Sequence, residues 1–251
     1  NMATWNSQER AKHRIMNKDI SETIGGKPKL LIDIKGWLIY FNLIVDIIIS
    51  HSRKTQNTTS LWIENDLTKF EKAVLTIEDK RYFKHAGIDF YCAPRILKQL
   101  IMKKRLGGIS TIEQQYVRTV INKKERTIKR KSHEMILSWL ITKRLTKKAV
   151  LRSYLSSAYF GYKLNSCDDA SLLIFRRSAV ELDQEQSAIL ASLLVYPLPK
   201  QIVNTIKNEE AYKYKYADDF FNFTAQEAPN WTKKIRVRKE YTQRLIQAKK
   251  T

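Results

Sequence analysis

The sequence predicts a mainly α-helical protein with an anionic partner, and three observations carry that expectation. Hydrophobic residues make up 43% of the 251, enough to bury a real core and too many for a disordered basic tail. Only 7 Gly and 5 Pro are present, too few for a turn-dense barrel or sandwich or a glycine-cradled nucleotide fold. From residue 67 onward, helix-capping patterns recur ahead of apolar residues at helical spacing.

The elements follow in order. Leu30–Ile49 is strongly apolar but carries Asp33, Lys35, Asn42 and Asp46. Its uninterrupted part, Gly36 to Val45, is shorter than the roughly 20 residues a spanning helix needs. A buried or interfacial helix is therefore expected, with a membrane anchor as the alternative. Arg10, Lys12, Arg14, Lys18, Lys27 and Lys29 would then keep the N-terminus cytoplasmic. Residues 1–66 read as an N-terminal appendage and residues 67–251 as one larger domain. Within that domain, Thr68 and Glu71 form a capping box ahead of Phe70, Ala73, Val74 and Ile77, delivering Glu78-Asp79 near a helix C-terminus. Ser110 and Glu113 make a second capping box, opening a helix that carries Gln114, Gln115 and Arg118. A third helix, about 128–144, has Met135, Ile136, Trp139 and Leu140 inward. Arg130, Lys131 and Glu134 cluster on it by i+3/i+4 spacing. Thr146 caps a fourth, with Val150, Leu151, Tyr154, Leu155 and Ala158 apolar. Asp183 caps a fifth that reaches Leu194 before Pro197.

Charge is concentrated. The formal net charge is +21, and residues 98–152 hold 16 Lys/Arg against 3 acids, while residues 231–251 hold 8 against one. Such stripes suit nucleic acid, a pyrophosphate or an anionic membrane surface, or form a plain solvated helical face. Several chemistries are absent from the sequence: a phosphate-binding loop, a glycine fingerprint, HExxH, and the Ser-x-x-Lys of an acylating serine. Four histidines without ligand spacing argue against a histidine-built metal site. Cys92 and Cys167 form neither a disulfide framework nor a zinc quartet.

What remains is carboxylates among cations. Glu78 follows an apolar face at a helix C-terminus, where the dipole and partial burial favour proton uptake, as a general base requires. A surface pair with Arg81 is the competing reading. For Arg130, Lys131 and Glu134 the competing reading is a helical salt bridge. His85 and His133 alone read as structural.

Read together, these segments resemble a known family. Glu78-Asp79-Lys80-Arg81-Tyr82-Phe83-Lys84-His85-Ala86-Gly87-Ile88-Asp89 resembles the first motif of the peptidoglycan glycosyltransferases, the transglycosylase domains of class A penicillin-binding proteins and monofunctional transglycosylases. Gly108-Ile109-Ser110-Thr111-Ile112-Glu113-Gln114-Gln115 resembles the second, and Arg130-Lys131-Ser132-His133-Glu134 matches the third. Lys148 through Leu155 with Tyr159-Phe160-Gly161 resembles the fourth, and Glu185 through Ala191 the fifth. The departures are Ile109 for glycine, Glu113 for threonine, Arg118-Thr119 for Lys-Asn, Ser156 for asparagine and Thr142 for glutamate. Residues 165–177 match poorly.

The resemblance implies a lysozyme-like fold, a large helical lobe plus a smaller membrane-facing lobe around a long cleft. It implies polymerisation of lipid II into β-1,4-linked strands with release of undecaprenyl pyrophosphate. No transpeptidase segment follows, so a monofunctional enzyme is expected. Glu78 would be the base. Arg118, Arg130 and Lys131 would bind the pyrophosphate, and Glu134 would position it, with a divalent cation (Mg or Mn) at Glu134. Asp79, Tyr82, His85, Ser110, Thr111, Gln114 and Gln115 would shape the substrate pocket. The partners implied are lipid II, the nascent glycan strand and an anionic membrane surface, which the Ile96–Leu106 stretch would touch. The location implied is the bacterial inner membrane with the site on the periplasmic or outer face, a cytoplasmic site remaining the alternative. No nucleic-acid partner is expected, because no binding module is present. A catalytically impaired relative acting in regulation or interaction is the second functional class.

Overall fold

In a computed structural model of the chain, the described residues are 33–92, 110–122, 127–208 and 217–248. They form ten α-helices and no β-strand; pairing is limited to isolated bridges from Gly161 to Leu164 and Leu198. The mainly α-helical, lysozyme-like class read from the sequence holds.

Helix α1, Ile34–Thr55, is capped by Asp33, whose carboxylate accepts from the Gly36 amide. Its Ile44, Val45 and Ile48 are buried in the same core cluster as Leu61 and Phe70. The N-terminal half is different: Ile34, Leu38 and Ile39 are 71%, 59% and 53% exposed. Helix α2, Lys69–Glu78, begins at the expected Thr68–Glu71 capping box, with both reciprocal bonds present. Helix α3, Ile112–Ile121, starts one residue later than the sequence pattern suggests. Its N-cap is Thr111, which accepts from the Gln114 amide, so the expected Ser110–Glu113 box does not form.

Helix α4, Ile128–Ile141, is capped by Thr127 and turns a different face inward from the one expected. Glu134, Leu137, Ser138 and Ile141 are buried, whereas Ile136 and Trp139 are 42% and 46% exposed. The physical reason is Glu134. Cations on both sides draw this carboxylate inward, and Leu137, Ser138 and Ile141 follow at 3, 4 and 7 residues along the same helical face.

Helix α5, Lys147–Leu155, keeps its Thr146 cap and its expected apolar residues, all buried. Helix α6, Cys167–Phe175, is capped by Ser166, and α7, Gln184–Ser192, by an Asp183–Gln186 capping box. Helices α8, Lys200–Asn208, and α9, Ala217–Glu227, lead to α10, Pro229–Gln247, which opens with a proline where its missing N–H costs nothing. Packing centres on α2, α7 and α10 on one side and α3, α4 and α5 on the other, with α1 laid against α4 and α5. Gly87 joins the first-motif loop to α4. It has φ +81°, and a Cβ there would lie 2.4 Å from the Ser138 carbonyl oxygen, so only glycine fits. The Ile96–Leu106 stretch, Gly108 and Ile109 lie outside the described residues.

Candidate active site

Three groups of polar side chains meet around α3. The first surrounds Glu78, the last residue of α2. Gln115 Nε2 donates to its Oε2 at 3.2 Å, and Arg238 Nη2 on α10 donates to its Oε1 at 2.8 Å. The Tyr154 hydroxyl in turn donates to Gln115 Oε1 at 2.6 Å, fixing which way the amide points. Arg81 is not the partner of Glu78. It pairs with Asp89 at 3.3 Å and lies 3.8 Å over the Tyr91 ring.

The second group surrounds Glu134, which is almost fully buried. Arg118 from α3 holds it with two bonds, Nε to Oε1 at 3.0 Å and Nη2 to Oε2 at 3.1 Å. Arg130 Nε approaches to 3.3 Å and Lys131 Nζ to 3.9 Å. Ser110 Oγ accepts from Arg118 at 3.3 Å and from Lys131 at 2.9 Å, and Gln114 Oε1 accepts from Lys131. Three cations therefore share one carboxylate, and two of them, Arg118 and Arg130, line a pocket between α1, α3 and α4 together with Lys129. Burial lowers the Lys131 ammonium from its ordinary value; Glu134 opposes the effect, while Arg118 and Arg130 add to it. The far wall of the pocket is apolar: Tyr40, Ile44, Val117, Ile121 and Leu137. Such a pocket suits a phosphate joined to a greasy chain.

The third group is a buried brace between the other two. His85 Nε2 contacts both Asp79 oxygens at 3.1 Å, and the Ile112 amide donates to Asp79 Oδ2 at 3.2 Å. Thr111 Oγ1 donates to the Gly87 carbonyl at 2.8 Å. Glu113, 0% exposed, is ion-paired with Lys147, whose ammonium lies 4.4 Å over the Tyr82 ring. Burial raises the Glu113 carboxyl, and Lys147 opposes that rise. The Tyr82 hydroxyl donates to the Lys147 carbonyl at 2.7 Å; burial also pushes its acidity far from reach. Tyr82 thus packs beneath the site and does not line it.

All twelve residues singled out from the sequence are brought into these three groups. Arg238, Tyr154 and Lys147 were not singled out. Arg238 belongs to the basic 231–251 stretch, where charge alone does not say which cation reaches inward. A divalent cation at Glu134 does not fit the donor set, because three cations already surround that one carboxylate. Among the described residues, Asp79, His85 and Glu113 bring potential ligand atoms within 4.8 Å of one another. There Asp79 is engaged by His85 and a backbone amide, and Glu113 by Lys147, so the group reads as a charge-compensated brace.

Comparisons with known proteins identify relatives of the chain. A family model described as "Transglycosylase" matches residues 46–217, from the C-terminal half of α1 to the start of α9. Penicillin-binding protein 2a of Streptococcus pneumoniae serotype 2 is 32% identical over 144 residues, covering 57% of this chain and 19% of that protein. The biosynthetic peptidoglycan transglycosylase of Acinetobacter baylyi is 33% identical over 147 residues, 58% of this chain and 64% of that protein. That of Thiobacillus denitrificans is 29% identical over 139 residues, 54% and 60% respectively. The chain thus covers less than two thirds of the length of each of these relatives. The match spans more than half of the chain and contains both Glu78 and Glu134, so the chain belongs to the transglycosylase family.

Proposed function

We propose that the chain is a peptidoglycan glycosyltransferase that polymerises lipid II into β-1,4-linked glycan and releases undecaprenyl pyrophosphate. One observation carries the reading: α3 touches both the Glu78 carboxylate and the cluster of cations around Glu134. Gln115 holds Glu78, while Gln114 and Arg118, four residues apart on the same helix, hold Lys131 and Glu134.

The chemistry follows from these places. Glu78 takes the proton from the 4-hydroxyl of the acceptor sugar as that oxygen bonds to C1 of the donor. Each carboxylate oxygen accepts one bond in the structure and keeps a second lone pair for the hydroxyl. The C1–O bond to pyrophosphate breaks, and the negative charge developing on that oxygen falls to Arg118, Arg130 and Lys131. Glu134 spaces and orients these three cations. The apolar wall receives the first part of the lipid chain, and the exposed half of α1 lies against the membrane. The site then faces the outer side of the bacterial inner membrane, where lipid-linked units are polymerised.

The departures from the family pattern support a working enzyme over an impaired one. Glu113 sits in the brace; the Ser156 hydroxyl bonds to Thr59 and Trp62; Arg118 keeps the cation and grips Glu134 with both arms of its fork. The test is turnover of labelled lipid II by the purified chain, read as glycan strands on a gel. Glu78→Gln keeps shape and removes basicity, so it should lower turnover by roughly 10²–10⁴-fold while moenomycin still binds. Near-parental turnover in that variant would remove Glu78 as the base.

A further inference from the structure

Helix α10 lies beyond residue 217, where the family match ends, and its contribution to the site is unassigned. Its register is fixed independently of Glu78. Thr232, Ile235, Lys239 and Thr242 are buried at 3- and 4-residue spacing, the stripe of a helix seated on a core. Trp231 Nε1 donates to the Tyr196 and Pro197 carbonyls at 3.2 and 3.1 Å. Lys239 Nζ donates to Glu185 Oε1 at 2.7 Å. Arg238 stands at the edge of that stripe, so a helix already anchored at Trp231 and Lys239, on either side of Arg238, carries its guanidinium to the C-terminal end of α2.

We propose that Arg238 is a positioning residue for the glycosyl transfer: from α10 it fixes the orientation of the Glu78 carboxylate towards the acceptor hydroxyl. The inference rests on the reading of Glu78 as the base. Two donors from different elements hold opposite oxygens of that carboxylate, Gln115 of α3 on Oε2 and Arg238 of α10 on Oε1. Two such restraints set the plane of a carboxylate that a single bond leaves free to rotate about its last torsion. The bond from Arg238 is charge-assisted, and the stronger of the two by chemistry. It is also partly shielded, with side-chain exposures of 24% for Arg238 and 14% for Glu78, so water screens it less than a surface pair. Without Arg238, the neutral amide of Gln115 is left to orient the base alone.

The experiment compares lipid II turnover and KM in the parent chain, Arg238→Ala, Arg238→Lys and Lys239→Ala, each with a thermal melt. Misplacing a reacting group by about 1 Å costs on the order of 10²-fold in rate. A loss of that scale is expected in kcat for Arg238→Ala, with KM near parental. Arg238→Lys keeps the charge on a single point donor and should recover part of the loss. Lys239→Ala removes an adjacent anchor of the same helix that does not touch Glu78, and should lower the melting temperature while leaving kcat near parental. Should Arg238→Ala fail to fold, Arg238→Lys against Lys239→Ala carries the comparison. Turnover by the parent and its loss in Glu78→Gln test the underlying reading separately. With those in hand, parental kcat in the Arg238 variants overturns the inference. So does a loss confined to KM, which would put Arg238 on the substrate, and so does an equal kcat loss in Lys239→Ala, which would make α10 merely structural.

Discussion

At the scale of single residues, Glu113 shows how a side chain can obey one local rule and serve another. Residues 110–114 read Ser-Thr-Ile-Glu-Gln, so two overlapping capping patterns are available, Ser110 with Glu113 and Thr111 with Gln114. The second wins, because Thr111 also donates to the Gly87 carbonyl, whereas the Ser110 hydroxyl is taken by Arg118 and Lys131. Glu113 is thereby released into the core beside Lys147. Its carboxyl is raised above the ordinary 4.5 by burial. Between that value and the raised one, the folded chain keeps a proton that the unfolded chain has lost, so stability falls as pH rises through that window. Thermal melts across the window should show this component in the parent and lack it in Glu113→Gln; an identical slope in both would mean that another group titrates there. The same residues show what sequence reveals of a site. Glu78, Glu134, Arg118 and their neighbours were legible because they lie in or beside short contiguous motifs that resemble those of a known family, where spacing alone left a plain salt bridge as the competing reading. Arg238 was not, because it meets Glu78 across 160 residues, and only the packing of α10 decides which of eight basic side chains in that stretch turns inward.

At the scale of elements, α1 combines two surfaces. Its 22 residues include an 18-residue window of mean hydropathy 1.3, of which 22% is buried. Asp46, which ends the uninterrupted run, and Asn42, a polar residue within it, are both held by Arg144 at 2.8 Å. The helix therefore runs through both polar residues and on to Thr55, past Ile49, where the apolar stretch ends in the sequence. Ile44, Val45 and Ile48 face the core, while Leu38 and Ile39 face outward. An apolar outer face of this kind partitions into a bilayer surface in proportion to its area. Leu38→Lys with Ile39→Lys should weaken co-sedimentation with anionic liposomes and leave the melting temperature close to parental, since neither side chain supports the core. Unchanged sedimentation would assign membrane contact, if any, to another surface.

At the scale of the whole molecule, the excess of positive charge hides a pairing of buried and part-buried acids with cations among the described residues. Glu71 faces Arg152, Glu113 faces Lys147, Glu134 faces Arg118, Arg130 and Lys131, and Glu78 faces Arg238. Of these pairs, Glu71–Arg152 does most to join the parts of the chain. Arg152 on α5 donates to Glu71 at the start of α2 at 2.8 Å, and to the carbonyls of Glu64 and Asp66 at 2.6 and 3.0 Å. It thus ties the segment that follows α1 to the helix that delivers Glu78. Both side chains are buried. Removing one partner strands a charge in low dielectric, which typically costs about 3–5 kcal/mol, whereas replacing both with apolar groups of similar volume is often neutral. Arg152→Met should accordingly cost an amount of that order in chemical denaturation and also leave two carbonyls without their donor. Arg152→Met with Glu71→Gln should recover part of the stability, because no unpaired charge remains and the glutamine oxygen still accepts from the Thr68 amide at the start of α2. If the double variant is no more stable than the single one, the carbonyls of Glu64 and Asp66, and not the carboxylate of Glu71, are the contacts through which Arg152 holds the first part of the chain to the site.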